Sequence, residues 1–336
     1  MTLKDKLNRP IRDLRISVTD RCNFRCTYCM PKEIYGSHYQ FMRRDELLSF
    51  EELVRVVGIF AELGVVKVRI TGGEPLARQN IEVLIKMIAQ TKGIKDISLT
   101  TNASLLTADK AQRLKEAGLS RLTVSLDALD NDVFMKMNDV NFPVDKILAH
   151  IDQASSVGFR EIKINMVVVK GRNEDQVLAI ARRFRGRDFI LRFIEYMDVG
   201  GGNRWKLDQV VPTAELIKLI DDKFPIEAVA ANYAGEVAER WRYKDGQGEI
   251  GFIASVSKPF CRGCTRMRLS AEGKLYTCLF ATHGHDLHHL LDANYTDDAL
   301  KSYIVDLWTQ REDRYSEIRS AQTVTLPKVG MSYIGG

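Results

Sequence analysis

Six short runs rich in β-branched residues, separated by stretches with the apolar spacing of helices, occupy the first two-thirds of this chain. The runs lie at residues 14–18, 66–70, 97–100, 122–126, 162–169 and 190–194. Helical patterns fall at 49–64, 81–89, 109–117, 144–157 and 175–185. The first of these opens on Ser49 and Glu52, a capping-box pair, and stops at Gly64. Parallel strands need a crossover between them, so this alternation predicts an α/β fold with a parallel sheet and helices outside. Eight such units close a barrel. Six predict a partial, open TIM-like barrel of six βα units over residues 1–220, with a doubly wound sheet as the alternative. After Phe224 the pattern changes. Segments at 235–243, 249–253, 267–270 and 275–278 read as strands, with a hairpin turn at 271–274. This β-containing region, 221–336, is expected to close the open side of the barrel.

No stretch approaches the ~18 consecutive apolar residues of a membrane span, and the first residues carry no apolar leader. The expectation is a cytoplasmic protein with no membrane partner. The net charge of +5, from 49 Lys+Arg against 44 Asp+Glu, allows an anionic ligand. No long basic block argues for nucleic acid. In a reducing compartment, six cysteines in two tight groups point to metal chemistry rather than disulfides.

Cys22, Cys26 and Cys29 form a C-x3-C-x2-C group directly after the first run. Three thiolates supply three of the four ligands of a 4Fe–4S cluster and leave one iron open. An open metal position marks a reactive site, and barrel active sites lie beyond the C-terminal ends of the strands. Thr71-Gly72-Gly73-Glu74-Pro75 follows the second run, where glycines let backbone approach a ligand. Cys261, Cys264 and Cys278 form a second group, C-x2-C-x13-C. Its spacing also fits a Cys3His zinc site, because four histidines, 283, 285, 288 and 289, follow. A surface cluster is the simpler reading of those histidines.

A triphosphate needs several cations on one cavity, since guanidinium forks match phosphate oxygens and ammonium adds point charge. Arg15, Lys67, Arg69, Lys163 and Arg192 lie on the predicted strands. Arg266 and Arg268 alternate along another, and so share one face.

The first cysteine group, with Tyr28 before its last cysteine, resembles the radical S-adenosylmethionine superfamily. That likeness implies a 4Fe–4S cluster whose open iron chelates S-adenosylmethionine, which is cleaved reductively to methionine and a 5′-deoxyadenosyl radical. The segment Cys261-Arg262-Gly263-Cys264-Thr265-Arg266-Met267-Arg268, followed by Gly273-Lys274-Leu275-Tyr276-Thr277-Cys278, resembles the GTP cyclases of molybdenum cofactor biosynthesis. The likeness runs from Leu14 to the terminal Gly335-Gly336 and is weakest at residues 225–255 and at the histidines. It implies a second 4Fe–4S cluster on Cys261, Cys264 and Cys278, facing the guanine of GTP. It implies contacts to S-adenosylmethionine from Tyr28, Gly73, Ser125 and Met197. GTP contacts are implied for Arg15, Arg69, Thr100, Lys163, Arg266, Met267 and Arg268, with Lys67 and Arg192 as additions. The Gly335-Gly336 tail is implied to enter the active site. The reaction implied is attack of a ribose C3′ radical on guanine C8, giving (8S)-3′,8-cyclo-7,8-dihydroguanosine 5′-triphosphate. Expected partners are an electron donor, the cyclic pyranopterin monophosphate synthase of the next step, and a second copy of the chain in a homodimer.

Two rival readings remain at this stage. One is a radical enzyme acting on a peptide or RNA; the other is a zinc-ribbon nucleic-acid-binding protein.

Overall fold

The computed structural model describes residues 3–200, 202–292, 294–320 and 326–335. Six parallel strands appear where the β-branched runs predict them: β1 (Asp13–Ser17), β2 (Lys67–Thr71), β3 (Asp96–Thr101), β4 (Arg121–Ser125), β5 (Ile162–Val168) and β6 (Phe189–Glu195). The helices α1 (Phe50–Glu62), α2 (Ile81–Ala89), α3 (Ala108–Glu116), α4 (Asn131–Asn138), α5 (Val144–Ser156), α6 (Val177–Phe184) and α7 (Thr213–Asp221) cover their outer face. The expected cap of α1 is present: Glu52 donates its backbone N–H to Ser49 Oγ at 3.1 Å, and Ser49 N–H donates to Glu52 Oε2 at 2.7 Å.

Alternation along each strand sorts the two faces. On β1, Leu14 and Ile16 pack into the core between sheet and helices, while Asp13 and Arg15 turn to the concave side. The same core takes Val68 and Ile70 from β2, Leu122 and Val124 from β4, and Ile162 and Ile164 from β5. Each such side chain contributes about 1.5–3 kcal/mol on burial. The outer layer therefore holds the fold, and the concave face is free to carry charge.

The C-terminal strands are β7 (Ile226–Val229), β8 (Glu239–Tyr243), β9 (Glu249–Ile253), β10 (Arg266–Leu269), β11 (Lys274–Tyr276) and β12 (His285–Asp286). They do not bridge the gap in the barrel. They extend both edges of one 12-stranded sheet ordered β12-β11-β10-β1-β2-β3-β4-β5-β6-β9-β8-β7. β10 is parallel to β1 and β9 is parallel to β6, so eight neighbouring strands run the same way without closing. The pairs beyond them are antiparallel hairpins. Among the described residues, α8 (His288–Leu291), α9 (Asp297–Thr309) and α10 (Met331–Ile334) follow or cross this region. No helix among the described residues is long and apolar enough to cross a membrane.

Candidate active site

The concave face encloses a cavity of about 330 Å³, within the range of small-molecule sites. Its charges are arranged in two levels by strand register. The lower level runs Arg266, Asp13, Lys67 and Asp96 across β10, β1, β2 and β3. Here cations and carboxylates alternate. Lys67 Nζ stands 3.8 Å from both Asp13 and Asp96, and Arg121 Nε donates to Asp96 at 2.9 Å. The next level runs Arg268, Arg15 and Arg69, three arginines side by side. Among the described residues no carboxylate forms a salt bridge with any of these three, nor with Lys163, Arg192 or Arg266.

Unpaired buried cations are costly, and their acid–base behaviour shows it. Burial, then Arg268 and Arg69, pulls the Arg15 guanidinium well below its ordinary range. Burial, then Arg192, Arg121 and Arg69, brings Lys163 down to about 7. Arg192, 8% exposed, is brought down to about 9 by burial and by Arg69 and Arg121. Its Nε and Nη2 have no hydrogen-bond partner, nor does Oδ1 of Asn165, its register neighbour on β5. Thr100 accepts a long hydrogen bond from Arg69 Nη1, 3.4 Å. The arrangement is a polycationic cradle built to receive an anion.

All six cysteines line this one cavity. Cys22, Cys26 and Cys29 sit on the loop after β1. Cys261 and Cys264 lie just before β10, and Cys278 just after β11. Burial raises the Cys22 thiol to about 11, Cys29 to about 12 and Cys278 to about 11. Cys264 differs. Burial raises it, but Arg266 and Arg311 beside it bring it down to about 6. Among the described residues no three Cys, His, Asp or Glu side chains are close enough to share one metal ion. None of the four clustered histidines lines the cavity. His283 and His285 lie ring to ring at 5.7 Å, and His289 packs against Tyr295 and Tyr303.

Gly73, Tyr28, Ser125 and Met197 all line the cavity. Gly73 is fixed by contact as well as by chemistry: a Cβ there would stand 2.2 Å from the Arg21 carbonyl oxygen. Its N–H donates to Thr19 O at 2.8 Å, which fastens the end of β2 to the cysteine loop. The next residue, Glu74, is buried and accepts from Thr101 Oγ1 (2.7 Å), Asn102 N (2.8 Å) and Leu76 N (3.0 Å). Burial raises it to about 7 against those hydrogen bonds. Tyr28 donates its hydroxyl to Asp127 Oδ2 at 2.7 Å, and Asp127 also accepts from Val167 N at 3.0 Å.

The tail folds inward. Ser332 lines the cavity together with Cys29, and α10 packs on β1. Gly335 O accepts from Arg268 Nη1 at 3.0 Å, and a Cβ on Gly335 would stand 2.5 Å from Thr71 Cγ2. Gly336 lies outside the described residues. Met267 differs from its two neighbours in where its side chain goes. The Met267 side chain is fully buried in the core, on the opposite face of β10 from Arg266 and Arg268, because alternate strand residues point opposite ways.

The sequence profile of the Radical SAM superfamily matches residues 16–184, and that of Molybdenum Cofactor Synthesis C matches residues 189–317. A GTP 3′,8-cyclase of Staphylococcus haemolyticus is 50% identical over 338 residues, covering 99% of each chain. The chain belongs to the GTP 3′,8-cyclase family. A second member of that family, from Acidothermus cellulolyticus, is 48% identical over 359 residues, with 99% of each chain covered. Among solved structures, Streptococcus suis SuiB bound to precursor peptide SuiA superposes with a TM-score of 0.64 at 17% identity, over 96% of this chain and 72% of that one. This likeness is one of fold.

Asn165, Asp127, Arg9 and Arg311 carry site geometry that no motif announces. Asn165 had a readable signal, since it alternates with Lys163 on one strand face. Arg9 and Arg311 had none.

Proposed function

We infer that the chain is a radical S-adenosylmethionine enzyme that converts GTP into (8S)-3′,8-cyclo-7,8-dihydroguanosine 5′-triphosphate, the first step of molybdenum cofactor biosynthesis. The observation that carries this reading is the row of buried and half-buried cations, without carboxylate partners, that shares one cavity with two three-cysteine groups. The full-length similarity to the cyclase family supports the choice of GTP.

In this reading Cys22, Cys26 and Cys29 hold one 4Fe–4S cluster, and Cys261, Cys264 and Cys278 hold a second. The donor set fits: soft thiolates suit iron–sulfur clusters. When bound, a reduced cluster carrying S-adenosylmethionine supplies the one-electron chemistry that abstracts a ribose hydrogen.

The protein's own residues bind, orient and exclude water. Tyr28, Gly73, Ser125 and Met197 line the part of the cavity assigned to S-adenosylmethionine. Arg15, Arg69, Thr100, Lys163, Arg192, Arg266 and Arg268 receive the triphosphate, whose charge replaces the carboxylates this level lacks. Gly335 bears on Arg268 from the side and limits where its fork points. Holding C3′ against the abstracting group is work of positioning and electrostatic preorganisation. Residues 221–336 then act as the cluster- and substrate-binding part, and 1–220 as the radical-generating part. The chemistry calls for an external electron donor, and the product passes to a cyclic pyranopterin monophosphate synthase.

The test is anaerobic reconstitution followed by metal analysis and a turnover assay. The expected result is about eight irons per chain, with GTP consumed as 5′-deoxyadenosine and cyclised product appear. Stoichiometric zinc in the second group, or equal turnover of ATP, overturns the reading.

A further inference from the structure

We propose that Arg311, held in place by Asp5 and Arg9, is a positioning residue for the second cysteine group, and that its charge raises the reduction potential of the cluster bound there. The inference rests on the two-cluster reading above.

The starting observation is a buried charged network beside the second cysteine group, in which Arg311 reaches the wall of the cavity. Asp5 is 6% exposed, Arg9 2% and Arg311 4%. Asp5 lies near the start of the chain and Arg311 just after α9, yet Arg311 Nη1 donates to Asp5 Oδ2 at 3.1 Å. Arg9 Nε donates to the same oxygen at 2.6 Å. The other Asp5 oxygen accepts the N–H groups of Leu7 and Arg9, both at 2.9 Å. A four-residue turn is thus wound around one carboxylate whose outward task is to fix two guanidiniums.

Both guanidiniums also donate to the second cysteine group, although Arg9 Nη1 is shared with Asp313 O at 2.7 Å. Arg9 Nη1 donates to Cys261 O at 2.9 Å. Arg311 donates through Nη1 to Cys264 O at 2.9 Å, through Nε to Thr277 O at 3.0 Å, and through Nη2 to Cys264 Sγ at 3.2 Å. Thr277 precedes Cys278. One side chain therefore ties the 261–264 knuckle to the segment after β11 that carries the third thiol, and places a cation on a sulfur. Its plane lies over the Trp308 ring, 4.6 Å to the centroid, which fixes the fork's orientation.

Two buried cations share one buried carboxylate here, with Asp313 standing at 3.4 Å nearer solvent. The charges of the four side chains cancel in sum, but the group in contact with Cys264 Sγ is the Arg311 guanidinium, so the field at that sulfur is positive. A cluster gains one negative charge on reduction. Hydrogen bonds to its sulfurs and nearby cations stabilise that charge and raise the potential.

The experiment uses reconstituted full-length protein, redox titration followed by electron paramagnetic resonance, and iron analysis of each variant. In the unsubstituted protein two couples and iron for two clusters are expected; one couple and half that iron defeats the two-cluster reading itself, before any variant is made. Arg311→Gln should lower one couple so that its oxidised-to-reduced ratio at fixed poise rises tenfold or more, a 59 mV shift for one electron. The other couple should stay put, and Arg311→Lys should recover much of the change. Asp5→Asn removes negative charge beside Arg311 and should move the same couple the opposite way. A merely structural role cannot give opposite signs. The proposal is overturned if both couples stay put in Arg311→Gln with iron intact. It is equally overturned if Asp5→Asn and Arg311→Gln shift the couple in the same direction, or if Arg311→Gln and Arg311→Lys both lose iron from the second group.

Discussion

Replacing Arg192 with Met should make the nucleotide-free protein more stable and the nucleotide-bound state harder to form. Arg192 is buried, lacks a partner on Nε and Nη2, and feels Arg69 and Arg121 across the sheet. Exchanging an uncompensated buried charge for an apolar side chain of similar size typically stabilises by about 1–4 kcal/mol. Unfolding entropy of about 2.1 cal/mol/K per residue over 336 residues comes to about 0.7 kcal/mol per degree. The melting temperature should therefore rise by roughly 1–6 °C. GTP binding should weaken about ten- to a hundredfold, since a charge-assisted hydrogen bond is worth about 1.5–3 kcal/mol. The control is Arg9→Met. Arg9 has its carboxylate, so its removal strands part of a buried ion pair and should cost about 3–5 kcal/mol, or roughly 4–7 °C. Anaerobic scanning calorimetry and titration calorimetry with GTP measure both quantities. If Arg192→Met melts lower than its parent, as Arg9→Met should, or binds GTP unchanged, the cradle is not an anion site held under electrostatic stress.

Lys163 offers a pH test of the same idea. Burial and neighbouring cations bring it down to about 7, and a bound triphosphate must raise it again. GTP binding at pH 8 should therefore take up most of one proton, seen as a buffer-dependent enthalpy, and affinity should fall as pH rises above 7; Lys163→Met should abolish the uptake. By linkage the unfolded chain binds more protons than the folded one between about pH 7 and Lys163's ordinary value, so this residue's contribution to stability rises with pH there. Arg266→Ala or Arg268→Ala should abolish cyclised product while iron content stays at the parent level; normal turnover in both removes them from the site. Gly335→Ala places a methyl against Thr71 at a backbone φ of +79°. It should slow cyclisation more than it slows 5′-deoxyadenosine release, and equal slowing of both products counts against a role in holding substrate.

The six strands of the central sheet were legible because each is a short β-branched run set between helical patterns. The first helix was legible because its cap is a local motif. α4 was not, since eight residues with two apolar anchors give little periodicity; its start depends on Asp130 accepting from the N–H groups of Asp132 and Val133. Sequence placed β9 and β10 as strands but not beside β6 and β1, because those pairings join segments far apart in the chain. The cysteines and the strand arginines carried the site. Met267 stands between Arg266 and Arg268 in the motif, but strand geometry turns its side chain to the core face. Arg192, only a secondary expectation, became the clearest orphaned donor. Asp5, Arg9 and Arg311 could not be read at all, because nothing local marks residues that meet across some 300 positions.

The strand order also sets a timetable for synthesis. The free edge of β1 is covered by β10, whose pairing residue for Asp13 is Arg266. At about 5–20 residues per second on the ribosome, that edge waits on the order of 12–50 s for its partner. The β6 edge waits for the roughly 50 residues that lead to β9, or about 3–10 s. During that interval the nascent sheet presents unpaired parallel edges, which are templates for pairing with another chain. The last third of the molecule thus guards the first against association as it emerges, and a chain halted before residue 266 should depend on chaperones where the finished one does not.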